Sequence, residues 1–492
     1  MRSNSNKTVV DALVIGGGPA GATAAALLAS WGWSVVLIHR EGRQPSLAES
    51  LPSSTRKLLG FLGQLDAVDA GHFYPNYGNI SHWAGKDAVA PTAEPGYHVS
   101  RARFDRLLRR HARSHGATIL NGQVQRVDVS NAAVVDVSRG AKPARYRAAF
   151  VLDASGRTGV VASRGLRRAA TGYRTLALAA EWKCDRWPVG ERARTFVDSY
   201  ADGWAWSVPL SATRRQCTVM LDAERTTIRK ADLKSLYTTE LRKAGNICQR
   251  LARCRQLSHP WACDASLYDC SRATDANAIL VGDAASFIEP LSSAGVKKAL
   301  ASAWRAAVVV NTCLRQPTMK GAAFDFHNRR ERHVYDDCLR RSGVFFREAA
   351  AVHEDDFWSS RVRGCSVTDR DRSELPLESE AARDEAVRRT FQRLRDEHSF
   401  DWKPAPGLRF DRTAVIEGRE IVLRDAVVVP GLDEPVRFWA GVNLPALIQI
   451  AAACRDVGSL IDAYHRQVVP VHPGHLVLAL SLLSTRGLIV EK

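Results

Sequence analysis

Residues 9–41 read VVDALVIGGGPAGATAAALLASWGWSVVLIHRE, and no other stretch restricts the fold as tightly. An apolar run ends in Gly16-Gly17-Gly18-Pro19-Ala20-Gly21, a helix of small residues follows, and a second apolar run, SVVLI, comes after it. This is the strand–turn–helix–strand context that a G-x-G-x-x-G dinucleotide fingerprint requires. Gly16 permits the tight turn, Gly18 lets the backbone approach a pyrophosphate, and Gly21 allows close helix–strand packing. The helix start, with Ala20 in its first turn, offers N–H groups and a positive dipole end to the phosphates. An acidic residue usually ends the second strand and binds a ribose hydroxyl. Here His39 and Arg40 stand there, with Glu41 just beyond. His39 can still donate or accept a hydrogen bond, and a looser hold on the adenosine end is expected.

At 492 residues the chain has room for two or three domains, and 45% hydrophobic with 25% charged residues suits a soluble globular protein. No apolar run approaches the roughly 18 residues of a membrane helix, and the N-terminus lacks a signal-peptide pattern. Ten cysteines occur without a C-x-x-C pair. Reduced thiols, a cytoplasmic location and no metal site are therefore expected. The net charge of +17 favours an acidic partner. The basic residues are spread through segments such as RARFDRLLRRHARSH (101–115) and HNRRERHVYDDCLRR (327–341), not gathered in a tail, so nucleic acid is not the expected partner. Arginine-rich solvated faces would explain the charge equally well.

Three further segments specify the dinucleotide: YHVSRARFDRLLRRHA (97–112), AAFVLDASGRTG (148–159) and ANAILVGDAASFIEPLSSAGVKKALASAWRAA (276–307). In this order and spacing, residues 9–350 resemble the p-hydroxybenzoate-hydroxylase-like FAD superfamily of monooxygenases, halogenases and geranylgeranyl reductases. The resemblance implies an α/β fold with a Rossmann-like FAD-binding domain (1–165 and 270–350). An interleaved antiparallel-sheet substrate domain (70–100 and 166–269) goes with it. By the same resemblance Asp283 binds the ribityl chain and Arg101 supports the cofactor. Arg40, Ser50 and Val124 join the FAD set, with Pro290, Gly295, Val296 and Lys297 at the flavin edge. The helix opening at Gly295 would aim its positive end at the flavin pyrimidine. Lys297 and Lys298 in its first turn would favour an anionic reduced flavin or an acidic substrate, or point into solvent. No second fingerprint is present, so electrons are expected from transiently bound NAD(P)H or a separate flavin reductase, with O2 as co-substrate.

Within the superfamily, AESLP (48–52), GWAWSVP (203–209) and GDAASFIEPLSSAG (282–295) resemble the flavin-dependent halogenase branch. Spacing of two puts Trp204 and Trp206 on one face of a strand, as a cavity wall or as packing between sheet and helix. Halogenation in that branch relies on a lysine amine. Aligning AGHFYPNYGNISHWAG (70–85) puts Pro75-Asn76 at its place, and Lys86 lies past Trp83. After Pro290 come Leu291 and Ser292, where tryptophan halogenases carry a glutamate. The resemblance then implies hydroxylation through a C4a-hydroperoxyflavin. Asn76, Glu49 and His82 are candidate catalytic contacts, and Tyr74, Tyr77, Trp204, Trp206 and Ser292 are candidate cavity residues. The missing lysine and the AGVKKALASAW helix are similar to the LodB-, GoxB- and QhpG-type flavoproteins of tryptophylquinone biogenesis. That likeness implies hydroxylation, twice over, of a tryptophan in a small acidic partner polypeptide. The alternatives are a small-molecule phenol or indole hydroxylase, a halogenase, and a flavin-binding peptide chaperone.

Beyond residue 350 a charged helical linker is expected over 351–405, then an accessory domain over 406–492. Residues 410–439 suggest short strands around a Pro-Gly turn, and 443–492 two amphipathic helices with a final arm, STRGLIVEK. This part resembles, weakly, the winged-helix peptide-binding modules of modified-peptide biosynthesis. It would dock a partner or cap the substrate entrance.

Overall fold

The computed structural model describes residues 8–42, 46–130, 133–139, 142–169, 172–185, 187–226, 232–365, 384–397, 399–430, 432 and 434–491. The chain divides into two compact units, Met1–Ser366 and Val367–Lys492.

The first unit is built on two sheets. In one, Ala278–Leu280, Lys142–Asp153, Thr8–Ile15, Val35–His39 and Thr118–Asn121 run parallel in that spatial order. An antiparallel arm, Gln123–Asp128 and Ala133–Arg139, extends from Lys142–Asp153. The central strands are covered on both faces, so they read as unbroken apolar runs, with Ala12, Leu13 and Val14 wholly buried. The small-residue helix Pro19–Ser30 packs close because Gly21 has no side chain: a Cβ there would lie 1.9 Å from the Gly16 carbonyl oxygen. Gly16 itself turns at φ +107°, a conformation that favours glycine.

The second sheet is the expected antiparallel one, with one departure. Its order is Arg255–Gln256, Thr175–Lys183, Arg214–Asp222, Gly203–Pro209, Thr195–Tyr200, Tyr74–Trp83, Lys86–Ser100 and Ala48–Leu51. Thr195–Tyr200 and Tyr74–Trp83 pair in parallel, because the chain returns to this sheet through the first one. Alternation along Gly203–Pro209 sends Trp204, Trp206 and Val208 toward a cavity and Ala205 into the core with Cys217 and Val219.

The thiol expectation is corrected here. Cys184 and Cys254 form a disulfide, and the other eight cysteines are free. The antiparallel register Lys183↔Arg255 continues to these two residues and brings their Cα atoms within 4.4 Å. A sequence separation of 70 concealed that neighbourhood.

The second unit is α+β, with its own core around Trp402, Leu447, Tyr464 and Leu480. The bridging segment is not one element. Helix Asp356–Gly364 belongs to the first unit, residues 366–383 lie outside the described residues, and helix Glu385–Glu397 buries Val387 and Leu394 in the second core. The strands Phe410–Glu417 and Glu420–Val427 turn at Gly418-Arg419, where Gly418 supplies the left-handed φ of +60° that a two-residue turn needs; Gly431 of the expected Pro-Gly turn lies outside the described residues. Three helices follow where two were expected: Leu444–Ala451, Val457–Gln467 and Pro473–Thr485. The final arm Ile489–Glu491 pairs antiparallel with Trp402–Pro404. Among the described residues no helix is long and apolar enough to cross a membrane, and no cluster of metal-ligating side chains occurs.

Candidate active site

A cavity of about 350 Å³ in the first unit runs from the glycine turn to the tryptophan strand. At one end Gly18, Pro19 and Ala20 line it, at the N-terminus of helix Pro19–Ser30. Arg101, the first residue of helix Arg101–Ser114, stands beside them. Its guanidinium donates from Nε and Nη2 to Asp105 (3.0 and 3.2 Å) and from Nη1 to Glu49 Oε1 (3.2 Å). Burial works against the Arg101 charge, but Asp105 and Glu49 outweigh it and raise its pKa. Burial pushes the Glu49 carboxyl up, and Arg101 only partly opposes it. Ser50 lines the same wall.

Asp283 faces the cavity from the loop between strand Ala278–Leu280 and Phe287. Pro290, Gly295 and Val296 also line it, so the N-terminus of helix Gly295–Arg315 points at this region. These are the parts a flavin dinucleotide requires: a helix N-terminus for the pyrophosphate, a carboxylate for ribityl hydroxyls, and a positive helix end at the ring. The donor set fits FAD.

The other end is apolar. Trp204 and Trp206 stack with centroids 4.9 Å apart and 28° between planes, flanked by Val197, Val208, Met220 and Phe287. Both readings of the tryptophan pair hold at once. Trp204 lines the cavity, and it also meets Trp83 edge-on at 6.3 Å in a core cluster with Phe346 and Trp358. Arg157 lies over the Phe287 ring (4.0 Å) and pairs with Asp264 (3.2 Å). Among the described residues, Arg101 and Arg157 are the cations of the lining, and no lysine belongs to it.

Several candidates fall elsewhere. Asn76 is buried, but its amide donates to Ser50 Oγ (2.9 Å) and Leu51 O (3.1 Å) and accepts from Gly78 N–H, so it stands behind Ser50 as a structural tie. His82 pairs with Asp87 on the outer part of its strand. Tyr77 is exposed, and Tyr74 stacks on His98. Ser292 donates to Glu289 O while its neighbours Leu291 and Ser293 reach the cavity. Val124 packs against the core of the parallel sheet, outside the lining. Lys297 is exposed, with Nζ 3.2 Å from Ser54 Oγ; the buried lysine is Lys298. Lys86 is exposed. Neither His39 nor Arg40 lines the cavity. His39 abuts the glycine turn, where a Cβ on Gly17 would meet His39 Cβ and Arg109 Cδ at 2.7 Å each. Arg109 Nη1 donates to Gly17 O (2.9 Å), and burial, then Arg109, lower the His39 pKa.

The sequence reading missed Thr218, Met220 and Phe287 of the cavity wall, and it missed Glu289. The Glu289 carboxylate is buried without a hydrogen-bond partner, and burial pushes its pKa up to about 7. Its one signal was its position between Ile288 and Pro290 in the flavin-edge loop.

The tryptophan halogenase family matches residues 56–402. The chain belongs to this family. Among its relatives, the tryptophan 2-halogenase of Chondromyces crocatus is 29% identical over 369 residues, covering 71% of this chain and 70% of that protein. The 1H-pyrrole-2-carbonyl-[peptidyl-carrier protein] chlorinase of Pseudomonas fluorescens is 25% identical over 335 residues, covering 60% and 74%. Two solved structures share the fold across both units. CmlS, a flavin-dependent halogenase, has a TM-score of 0.78 at 23% identity, covering 98% of this chain and 96% of its own. The peptidyl tryptophan dihydroxylase QhpG has a TM-score of 0.70 at 23% identity, covering 98% and 100%. The expected fold, a Rossmann-type FAD domain with an additional sheet domain, is therefore the family's. The named homologues are halogenases, with QhpG a structural neighbour.

Proposed function

We propose that this member of a flavin-dependent halogenase family works as an FAD-dependent monooxygenase, hydroxylating a tryptophan carried by a partner polypeptide. The observation that carries the reading is an aromatic cavity continuous with the flavin site and without an amine among its described lining residues. The nearby lysines do not serve as one: Lys86 and Lys297 are exposed, and Lys298 is spent on backbone carbonyls. Reduced FAD with O2 supplies the electrophilic oxygen when bound. The chain's own residues hold the cofactor through the glycine turn, Arg101 and Asp283. They exclude water with Trp204, Trp206, Met220 and Phe287, and they orient the substrate ring against the stacked tryptophans.

A protein substrate is supported by where the charge sits. The first unit carries 52 basic and 33 acidic residues, the second 17 and 19. An acidic polypeptide would therefore be steered to the unit that holds the cavity. The fold shared with QhpG over 98% of the chain is consistent with this reading. A second reading, halogenation, is favoured by the names of the relatives. The electron donor is NAD(P)H acting directly or a separate flavin reductase.

The test is intact-mass analysis of an acidic tryptophan-bearing polypeptide after incubation with enzyme, FAD, a flavin reductase, NADH, air and bromide. A gain of one or two oxygen masses on tryptophan, with co-elution of enzyme and substrate that weakens with salt, is expected. A bromine mass establishes the halogenase. Oxidation of free indoles or phenols alone overturns the protein-substrate part, and flavin oxidation without any product points to a chaperone.

A further inference from the structure

The paired lysines opening helix Gly295–Arg315 have opposite fates. Lys297 lies at the surface, whereas the Lys298 side chain is only 2% accessible. A buried ammonium persists only where it is hydrogen-bonded and charge-compensated. Lys298 Nζ donates to Gly282 O (3.0 Å) and to Ser286 O, and it lies 3.8 Å from Asp283 Oδ1. These three groups belong to one short loop. The loop is a turn at Gly282 (φ +64°), whose carbonyl also accepts from Ala285 N–H (3.1 Å) and Ser286 N–H (3.2 Å), so the ammonium ties this turn to the Ser286 carbonyl and the Asp283 carboxylate.

The rest of the loop is tied down from neighbouring elements. Ser302 Oγ, one turn after Lys298 on the same helix face, accepts from Gly282 N–H (2.9 Å), and Tyr268 OH donates to Asp283 O (2.6 Å). One turn further, Arg305 pairs with buried Glu331 (2.7 Å), so the two cations of this face are matched by two carboxylates. Asp283 lines the cavity, and Lys298 stands behind it outside the lining.

We propose that Lys298 is a positioning residue whose buried ammonium fixes the Gly282–Ser286 loop and aims the Asp283 carboxylate at a bound flavin. It acts through Asp283, without touching the cofactor. Lys298 thus takes the place at this helix start that an apolar side chain would fill by packing alone. The inference rests on the flavin-binding reading, so wild-type affinity for FAD is measured first, by fluorescence titration of the full chain. Failure of wild type to bind FAD defeats that reading.

With wild type binding, Lys298→Met is expected to weaken FAD about tenfold or more, because the Ser286 carbonyl loses its ammonium donor and the Asp283 carboxylate its buried counter-charge. Asp283→Asn should weaken it similarly. The double variant should be no weaker than the worse single one, since the two residues act as a unit. Unchanged affinity in Lys298→Met overturns the proposal, and so do additive losses in the double variant. If Lys298→Met does not fold, Ser302→Ala releases the same loop from its other side. It should then show a smaller loss of FAD affinity, absent in the Asp283→Asn background, and a loss that persists there overturns the proposal.

Discussion

Replacing Arg101 by methionine removes the guanidinium while keeping much of the aliphatic stem, so the loss is chiefly electrostatic. Three charge-assisted hydrogen bonds disappear, two to Asp105 and one to Glu49. If fully buried, each would contribute about 1.5–3 kcal/mol. Their side chains keep 27%, 18% and 30% accessibility along the cleft, so water screens them, and a total near 2–3 kcal/mol is expected. At about 2.1 cal/mol/K of unfolding entropy per residue, that lowers the Tm of the 366-residue first unit by about 3–4 °C.

The loss should also depend on pH. Glu49 already has its pKa raised by burial against the opposing Arg101, and without the guanidinium it moves further up. A carboxyl with a raised folded-state pKa contributes its stability at low pH and loses it as pH rises through the folded value. The deficit of Arg101→Met should therefore grow from pH 5 to pH 8. Calorimetry of the FAD-free protein at both pH values reads it. A deficit below about 0.5 kcal/mol, or one independent of pH, refutes the claim that Arg101 is the counter-charge of this carboxylate pair.

Three other perturbations follow from single observations. Gly21→Ala places a Cβ 1.9 Å from a backbone oxygen that cannot yield cheaply; a loss of about 2–3 kcal/mol and weakened FAD binding are expected, read by melting and titration. Glu289→Gln removes a buried carboxyl whose pKa is pushed up from 4.5 to about 7, so wild type loses stability as pH rises across that interval. The variant should melt higher than wild type at pH 8, with the advantage gone at pH 5. Cys184→Ser opens a 70-residue loop and should cost about 4 kcal/mol on the chain-entropy account. Thiol titration of unreduced, denatured wild type should find eight thiols of the ten.

The flavin half of this protein was legible from residue order because its constraints are local. Gly16, Gly18 and Gly21 act within one turn, Asp283 and Gly295 within one loop and one helix start, and Trp204 and Trp206 along one strand. Backbone conformation and strand alternation follow from neighbours in sequence, so the turn at Gly16 and the shared face of Trp204 and Trp206 were readable before any contact was known. What needed the tertiary structure was every property set by a distant partner. Asn76 was expected as a catalytic contact, yet its hydrogen bonds to Ser50 and Leu51 hold it outside the cavity lining. Lys298 and not Lys297 is the inward lysine, decided by which of two adjacent residues meets Gly282 and Ser286. The Cys184–Cys254 bond and the unpartnered Glu289 depend on sheet register and burial. A sequence states which groups a chain can offer; which of them face a cavity, and which are consumed by the protein's own backbone, is decided only when remote segments pack and compete for the same hydrogen bonds.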